Sequence, residues 1–334
     1  MVEIMAEMKS MESSKRIGLA GWWGGQNIGD EYIKYSLRKV LENHFKLDFI
    51  EVPFDPTFWN LWKINNLDFL IIGGGGLFTK TPPHPFEIFN KWGHHLKIPF
   101  GFLGVGVQEI RQEYKSIIES LVERGAFFVV RDTGSFNLLN SFISSPKIMK
   151  APDLTFLYPY QTRSNVAKDK IGVNLRVWNF DKGRTYDNYK WCQEINRLEG
   201  VKKTVPLSFM ENLDDREALA GLRGIKESDF NIKLYEDINI MIGMRLHSLI
   251  FAAQNSIPSI GIAYTPKVER FFSDLNLNEF CLNVSEYSRL SETFQEVSIR
   301  HKEISKKLQQ YTVESNIAIA NCLESIKNIV KNGR

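Results

Sequence analysis

The chain has 334 residues, of which 42 are Lys or Arg and 39 Asp or Glu, a formal net charge of +3. That length calls for two domains rather than one core. The 43% hydrophobic and 24% charged content is that of a soluble globular protein, and so small a basic excess excludes a dedicated nucleic-acid binder.

Cys192, Cys281 and Cys322 are isolated and form no CxxC, which argues against a structural zinc site or a disulfide framework and fits a reducing cytoplasm. No stretch approaches the roughly eighteen apolar residues of a transmembrane helix. Residues 1–15 are too charged for a signal peptide and are expected to be a flexible tail. Peripheral contact with a membrane stays open.

Residues 16–21, RIGLAG, read as a first strand. A glycine-rich turn from Trp22 to Gly29 follows, and Asp30 and Glu31 open a helix whose apolar positions include Ile33, Leu37 and Val40. Acidic residues in a first turn suit the helix dipole. The glycine spacing gives neither G-x-G-x-x-G nor a phosphate loop, so the turn permits close ligand approach without naming a nucleotide. Residues 49–52 are a second strand and 68–72 a third, ending in Gly73, Gly74, Gly75 and Gly76. Those glycines mark either a tight turn with close packing or a strand end kept bare for a ligand.

Residues 79–95 are polar and proline-rich, with His84, His94 and His95, and are expected to be an acceptor-binding or lid loop rather than a metal site. No metal ligand set is assigned. Strands are expected at 100–107 and 126–130, with a helix at 114–124 between them; Arg131 and Asp132 stand at the end of the latter strand. The β-α repeat implies a parallel sheet covered on both faces. Residues 16–157 form the expected N-terminal Rossmann-like domain, and 158–169 the linker.

A second β-α set opens with 170–177, which carries Arg176, and occupies residues 170–290. Strands are expected at 203–207 and 232–235, a helix from Asp214, and a helical segment over 291–334. The stretch 241–268 is the most informative. After an apolar strand and Gly243, Arg245 and His247 sit at the start of a helix expected over 248–254. A buried strand over 257–263 leads to Tyr264, Thr265, Pro266 and Lys267, which open another helix with proline in its first turn. Two helix N-termini, each beside a fixed cation, make an anion site. Asn27, Asp30, Glu31, Gly74, Gly75, Arg131, Arg176, Arg245, His247 and Lys267 all fall at strand C-terminal ends, where a cleft between two doubly wound domains places its site.

Seven segments resemble the polysaccharide pyruvyl transferases: GWWGGQNIGDE at 21–31, DFLIIGGGGLF at 68–78, FLGVGV at 102–107, VVRDTGS at 129–135, APDLTF at 151–156, IGVNLR at 171–176 and GMRLHSLIFAAQNSIPSIGIAYTPKV at 243–268. They stand in the family's order. Thr265 departs from the Asp that many members have there. The resemblance implies two doubly wound Rossmann-like domains facing across a GT-B-like cleft, with a C-terminal helix. It also implies transfer of the pyruvyl group of phosphoenolpyruvate to two hydroxyls of a sugar, as a ketal, with no cofactor. It makes residues 16–157 the acceptor side and 170–290 the donor side, and Arg245 and His247 donor-site residues.

For such a donor, Arg245 would grip an anion, with Arg131, Arg176 and Lys267 as further cations. His247 would move a proton, and Asp30 or Glu31 would hold or deprotonate the acceptor hydroxyl. Against these roles, Arg245 could bridge the domains, Asn27 could cap its turn, Arg131 could pair with Asp132, and Asp30 and Glu31 could serve the dipole alone. Trp22, Trp23 and Trp178 suit sugar stacking or core packing equally. The acceptor would be a sugar or lipid-linked oligosaccharide of a cell-surface polysaccharide, which would bring the protein to the inner face of the cytoplasmic membrane. The competing readings are a nucleotide-sugar glycosyltransferase of GT-B architecture and a non-catalytic carbohydrate-binding protein.

Overall fold

The structure is a computed structural model and describes residues 15–79, 85–157, 168–178 and 187–332. The expected tail up to residue 14, His84, the linker up to residue 167 and the loop 179–184 lie outside the described residues. Among the described residues the strands form two sheets. The first holds β1 (Ile17–Ala20), β2 (Phe49–Glu51), β3 (Phe69–Phe78), β4 (Phe100–Val107), β5 (Phe128–Val130) and β6 (Ile148–Lys150), in the order β2-β1-β3-β4-β5-β6. The second holds β7 (Lys170–Asn174), β8 (Val201–Thr204), β9 (Ile238–Gly243), β10 (Ser259–Ala263) and β11 (Cys281–Asn283), in the order β11-β10-β9-β7-β8. All these pairings are parallel.

The helices of the first half are α1 (Ile28–Lys39), continued by a wider π-type turn over 40–45, α2 (Phe58–Ile64), α3 (Pro85–Gly93), α4 (Lys115–Arg124) and α5 (Thr133–Asn140). Those of the second are α6 (Asn188–Arg197), α7 (Asp215–Leu219), α8 (Leu246–Gln254), α9 (Pro266–Asp274), α10 (Leu290–Ile299) and α11 (His301–Asn332). The central strands are buried along their whole length, as helices on both faces of a parallel sheet require. In each half the strand order reverses once, between β1 and β3 and between β7 and β9. Those reversals open the crevices in which such sheets bind ligands.

Three expectations need correction. Residues 232–235 form a single 3-10 turn, because the Asn231 side chain accepts from Lys233 N and folds the chain before it can extend; the strand is β9. The segment 79–95 is not wholly a loop, since α3 occupies 85–93. The four glycines do not follow β3 but lie inside it, with positive φ at Gly74 (71°) and Gly75 (76°) and a shift of register against β4. A methyl group on Gly74 would fall 1.8 Å from Ile33, and one on Gly73 2.5 Å from Leu37. These two glycines let α1 lie directly on the strand, while Gly75 and Gly76 are left to face the cleft.

One hydrophobic core runs through both halves. Backbone bonds also clasp them: Ile28 N donates to Leu207 O at 2.8 Å and Phe209 N to Gln26 O at 3.1 Å. Helix α11 also crosses the junction. Its Tyr311 ring meets Phe156 of the first half at 5.5 Å and Phe271 of the second at 6.4 Å. No helix among the described residues is long and apolar enough to cross a membrane.

Candidate active site between the two sheets

The two crevices meet in a cavity of about 50 Å³ lined by Asn27, Asp30, Gly75, Gly76, Arg131, Arg245, His247 and Lys267, with Leu207 and Leu246. It shares Asn27 and Asp30 with a pocket of about 580 Å³ walled by Trp22, Trp23, Phe54 and Met210. Of the residues singled out in the sequence, Asn27, Asp30, Gly75, Arg131, Arg245, His247 and Lys267 are therefore brought together.

Three others are not. Glu31 turns back and its Oε1 accepts from Gly24 N at 2.5 Å, so it holds the glycine turn. Gly74 packs on Ile33. Arg176 lies outside the lining: its Nη1 donates to the Tyr264 hydroxyl at 2.8 Å and its guanidinium stacks over Trp178 and Tyr264. Trp178 accordingly belongs to this internal stack, whereas Trp22 and Trp23 face the larger pocket.

Asp30 stands in the first turn of α1. Asn27 caps that helix through Gly29 N and also donates from Nδ2 to Asp30 Oδ2 at 2.7 Å. Burial pushes the Asp30 carboxyl up to about 6, against the opposing pull of Lys267, Arg131 and Arg245. His247 sits in the first turn of α8, buried, with Nε2 3.7 Å from Asp153 Oδ2 and without a hydrogen bond among the described residues. Burial lowers its imidazole to about 4; Asp153 works against this, and the neighbouring cations Arg131, Lys267 and Arg245 reinforce it. The imidazole is thus neutral at pH 7, with an unused nitrogen.

The cations are anchored from behind. Arg245 Nε donates to both oxygens of Asp215 at 2.8 and 2.7 Å, and Nη2 approaches Oδ1 at 2.7 Å. Asp215 is fully buried and also accepts from Asn174 Nδ2, Leu207 N and Ser208 N. Arg245 therefore does not bridge the halves; its ion pair lies within the second. Arg131 pairs with Asp153 at 3.4 Å rather than with Asp132, and its Nε has no partner among the described residues. Asp132 instead caps α5 and faces Arg270. Lys267 is half-buried at the start of α9, its ammonium 5.1 Å from the Tyr264 ring centre; desolvation lowers its pKa, partly offset by Tyr264. The Tyr264 hydroxyl, pushed up by burial but pulled down by Arg176, Lys267 and Arg245, comes to about 7.

Asp153, Asp215, Asn174 and Tyr264 were not singled out from the sequence. Asp153 and Tyr264 lie within the segments APDLTF and AYTPKV, which carried the only signal for them. Asp215 looks like an ordinary helix-start acid until its burial is seen.

The sequence matches the polysaccharide pyruvyl transferase family over residues 27–266. The chain belongs to that family. The matched span contains every residue lining the small cavity except Lys267. A comparison with curated proteins returns no match.

Among solved structures, the chain is similar to a putative UDP-N-acetylglucosamine 2-epimerase from Listeria monocytogenes, with 11% identity over 95% of this chain and 96% of that one and a TM-score of 0.58. A UDP-GlcNAc 2-epimerase from Neisseria meningitidis gives 12% identity, coverage of 93% and 100%, and a TM-score of 0.57. An uncharacterised protein from Klebsiella pneumoniae gives 15% identity, coverage of 84% and 95%, and a TM-score of 0.51. These likenesses establish the two-domain GT-B-like fold of this pyruvyl transferase family member.

Proposed function

We propose that the protein transfers pyruvyl from phosphoenolpyruvate to two hydroxyls of one sugar in a cell-surface polysaccharide or its precursor, releasing phosphate. The observation that carries this reading is the joined pair of cavities, one ringed by Arg131, Arg245 and Lys267, the other walled by tryptophan, with Asp30 between them. Three fixed cations in a buried site suit a small donor bearing both phosphate and carboxylate, and tryptophan faces suit a sugar ring.

In this reading one acceptor hydroxyl adds to the central carbon of the enol while its methylene carbon gains a proton. Loss of phosphate leaves an oxocarbenium centre, which the second hydroxyl attacks. The ketal carbon gains two C–O bonds and a methyl group, the phosphate leaves with the C–O electron pair, and the second hydroxyl's proton offsets its charge. Asp30, at the junction of the cavities, takes the proton of the attacking hydroxyl. His247 is the donor-side acid: burial holds its imidazole unprotonated with the neighbouring cations reinforcing this, and the dianionic phosphate offsets those cations, so it gains a proton as the donor binds. Arg245 and Lys267 hold the donor, with Arg131 beside them. Asn27 orients Asp30, and Gly75 leaves the backbone open to the substrate. Arg176 acts through Tyr264 and positions Lys267. Because about 50 Å³ holds only one or two water molecules, the donor enters by a parting of the halves at the Ile28–Leu207 clasp.

The test is incubation with phosphoenolpyruvate and galactose, mannose or glucose acceptors, free and lipid-linked, following phosphate release and acceptor mass. A pyruvyl ketal is expected with one of them, and His247→Ala should lower turnover at least about 100-fold. Turnover of a nucleotide sugar without ketal formation would overturn the reading in favour of a glycosyltransferase.

A further inference from the structure

Helix α2 presents apolar side chains both to the core and to solvent. Leu61 and Ile64 pack inward on the core, whereas Phe58, Trp59 and Trp62 are 79%, 74% and 63% exposed. Their spacing puts the three on one face, and the Phe58 and Trp59 rings meet edge to face at 6.2 Å. Lys63 stands beside them, exposed and without an ion pair among the described residues. Three outward aromatics, two of them indoles, with a neighbouring ammonium are the side chains that settle at the headgroup level of a bilayer, where an apolar ring and a polar edge are both satisfied.

Beside α2 runs a groove of about 630 Å³ between the helix and the edge strand β2, lined by Ile50, Val52, Pro53, Trp62, Lys63 and Leu67 among others. Through Glu51, Val52 and Pro53 it joins the tryptophan-walled pocket, and through Asn27 and Asp30 that pocket joins the catalytic cavity. Three adjoining pockets, sharing these wall residues, thus lie between the aromatic face and Asp30.

We propose that α2 is a membrane-docking element whose aromatic face seats in a lipid surface, with the mouth of the groove held against the bilayer. The groove opening beside the aromatic face favours a bilayer over a protein partner, since a protein covering α2 would close the groove that a lipid surface leaves supplied. The inference rests on the pyruvyl-transfer reading only for what the groove would receive from the bilayer; the docking itself does not.

The experiment is co-sedimentation of the full chain with vesicles of phosphatidylethanolamine and phosphatidylglycerol, alongside tryptophan fluorescence. The double variant Phe58→Ser/Trp59→Ser is the control, because neither residue lines the groove. The wild-type protein should bind with a blue shift of emission. The variant should bind at least tenfold more weakly with its circular dichroism unchanged, and should turn over a water-soluble acceptor at the wild-type rate. Lys63→Glu should weaken binding to these vesicles but not to phosphatidylcholine vesicles. Wild-type protein that stays in the supernatant, or a variant that binds as well as wild type, overturns the proposal. So does wild-type dimerisation abolished by the double variant, which would make the face a contact between copies. Vesicle binding without any ketal product would sink the pyruvyl-transfer reading alone, and ketal formation without vesicle binding would sink this one alone.

Discussion

Gly29 and His247 meet across the cleft so closely that a methyl group on Gly29 would fall 2.2 Å from His247 Nδ1. The first turn of α1 and the first turn of α8 are thereby locked together, one from each half. Elsewhere in a helix Ala would stabilise relative to Gly by about 1 kcal/mol, so Gly29 is kept for contact rather than conformation.

Gly29→Ala should therefore fold, yet displace the imidazole and wedge the two halves apart. Turnover of phosphoenolpyruvate should drop by at least about tenfold, with far-ultraviolet circular dichroism unchanged. Wild-type turnover in this variant would mean that the contact does not set the position of His247.

The two perturbed groups act on stability in opposite senses. Asp30 is raised from 3.8 to about 6, so its favourable contribution is complete below pH 3.8 and is lost as pH rises through 6. His247 is lowered from 6.5 to about 4, so stability falls as pH drops from 6.5 to 4, where only the unfolded chain takes the proton. Between pH 4 and 6 the two slopes offset each other. Asp30→Asn should leave only the histidine slope and become more stable than wild type at pH 8, by up to roughly 3 kcal/mol. Urea midpoints at pH 4.5, 5.5 and 8 would measure this; parallel curves for the two proteins would count against the shifted carboxyl.

Donor binding should take up a proton. An imidazole held at about 4 largely by burial, with Arg131, Lys267 and Arg245 adding to the effect, moves upward when a dianion neutralises them. Calorimetric titration with phosphoenolpyruvate at pH 7 in buffers of different ionisation enthalpy should show uptake approaching one proton, absent in His247→Gln. Equal enthalpies in all buffers for the wild-type protein would remove His247 from the acid role.

Asp215 carries the buried end of the Arg245 ion pair and three further donors. Asp215→Asn leaves the guanidinium buried without its counter-charge, which costs about 3–5 kcal/mol. Urea denaturation should show that loss, whereas Glu31→Gln, at an exposed hydrogen bond to Gly24 N, should cost under about 1 kcal/mol. Similar midpoints for both variants would refute the anchoring role.

The sequence by itself determined the elements and the cations at their ends. Apolar runs, glycine exits and acidic helix starts are local signals, and the positions of Asn27, Asp30, Arg131, Arg245, His247 and Lys267 follow from them because each lies at a strand's C-terminal end. It misread 232–235 because a three-in-four apolar segment looks extended until the Asn231 side chain folds it. Only the tertiary structure decided which groups are paired, buried or free. Arg245 meets Asp215 across thirty positions and Arg176 meets Tyr264 across 88, and no periodicity encodes such contacts. The shifted pKa values of Asp30 and His247 likewise arise first from burial, which local sequence does not encode. Side-chain order along a chain fixes local conformation, but the electrostatics of a cleft depend on what the second wall brings to it.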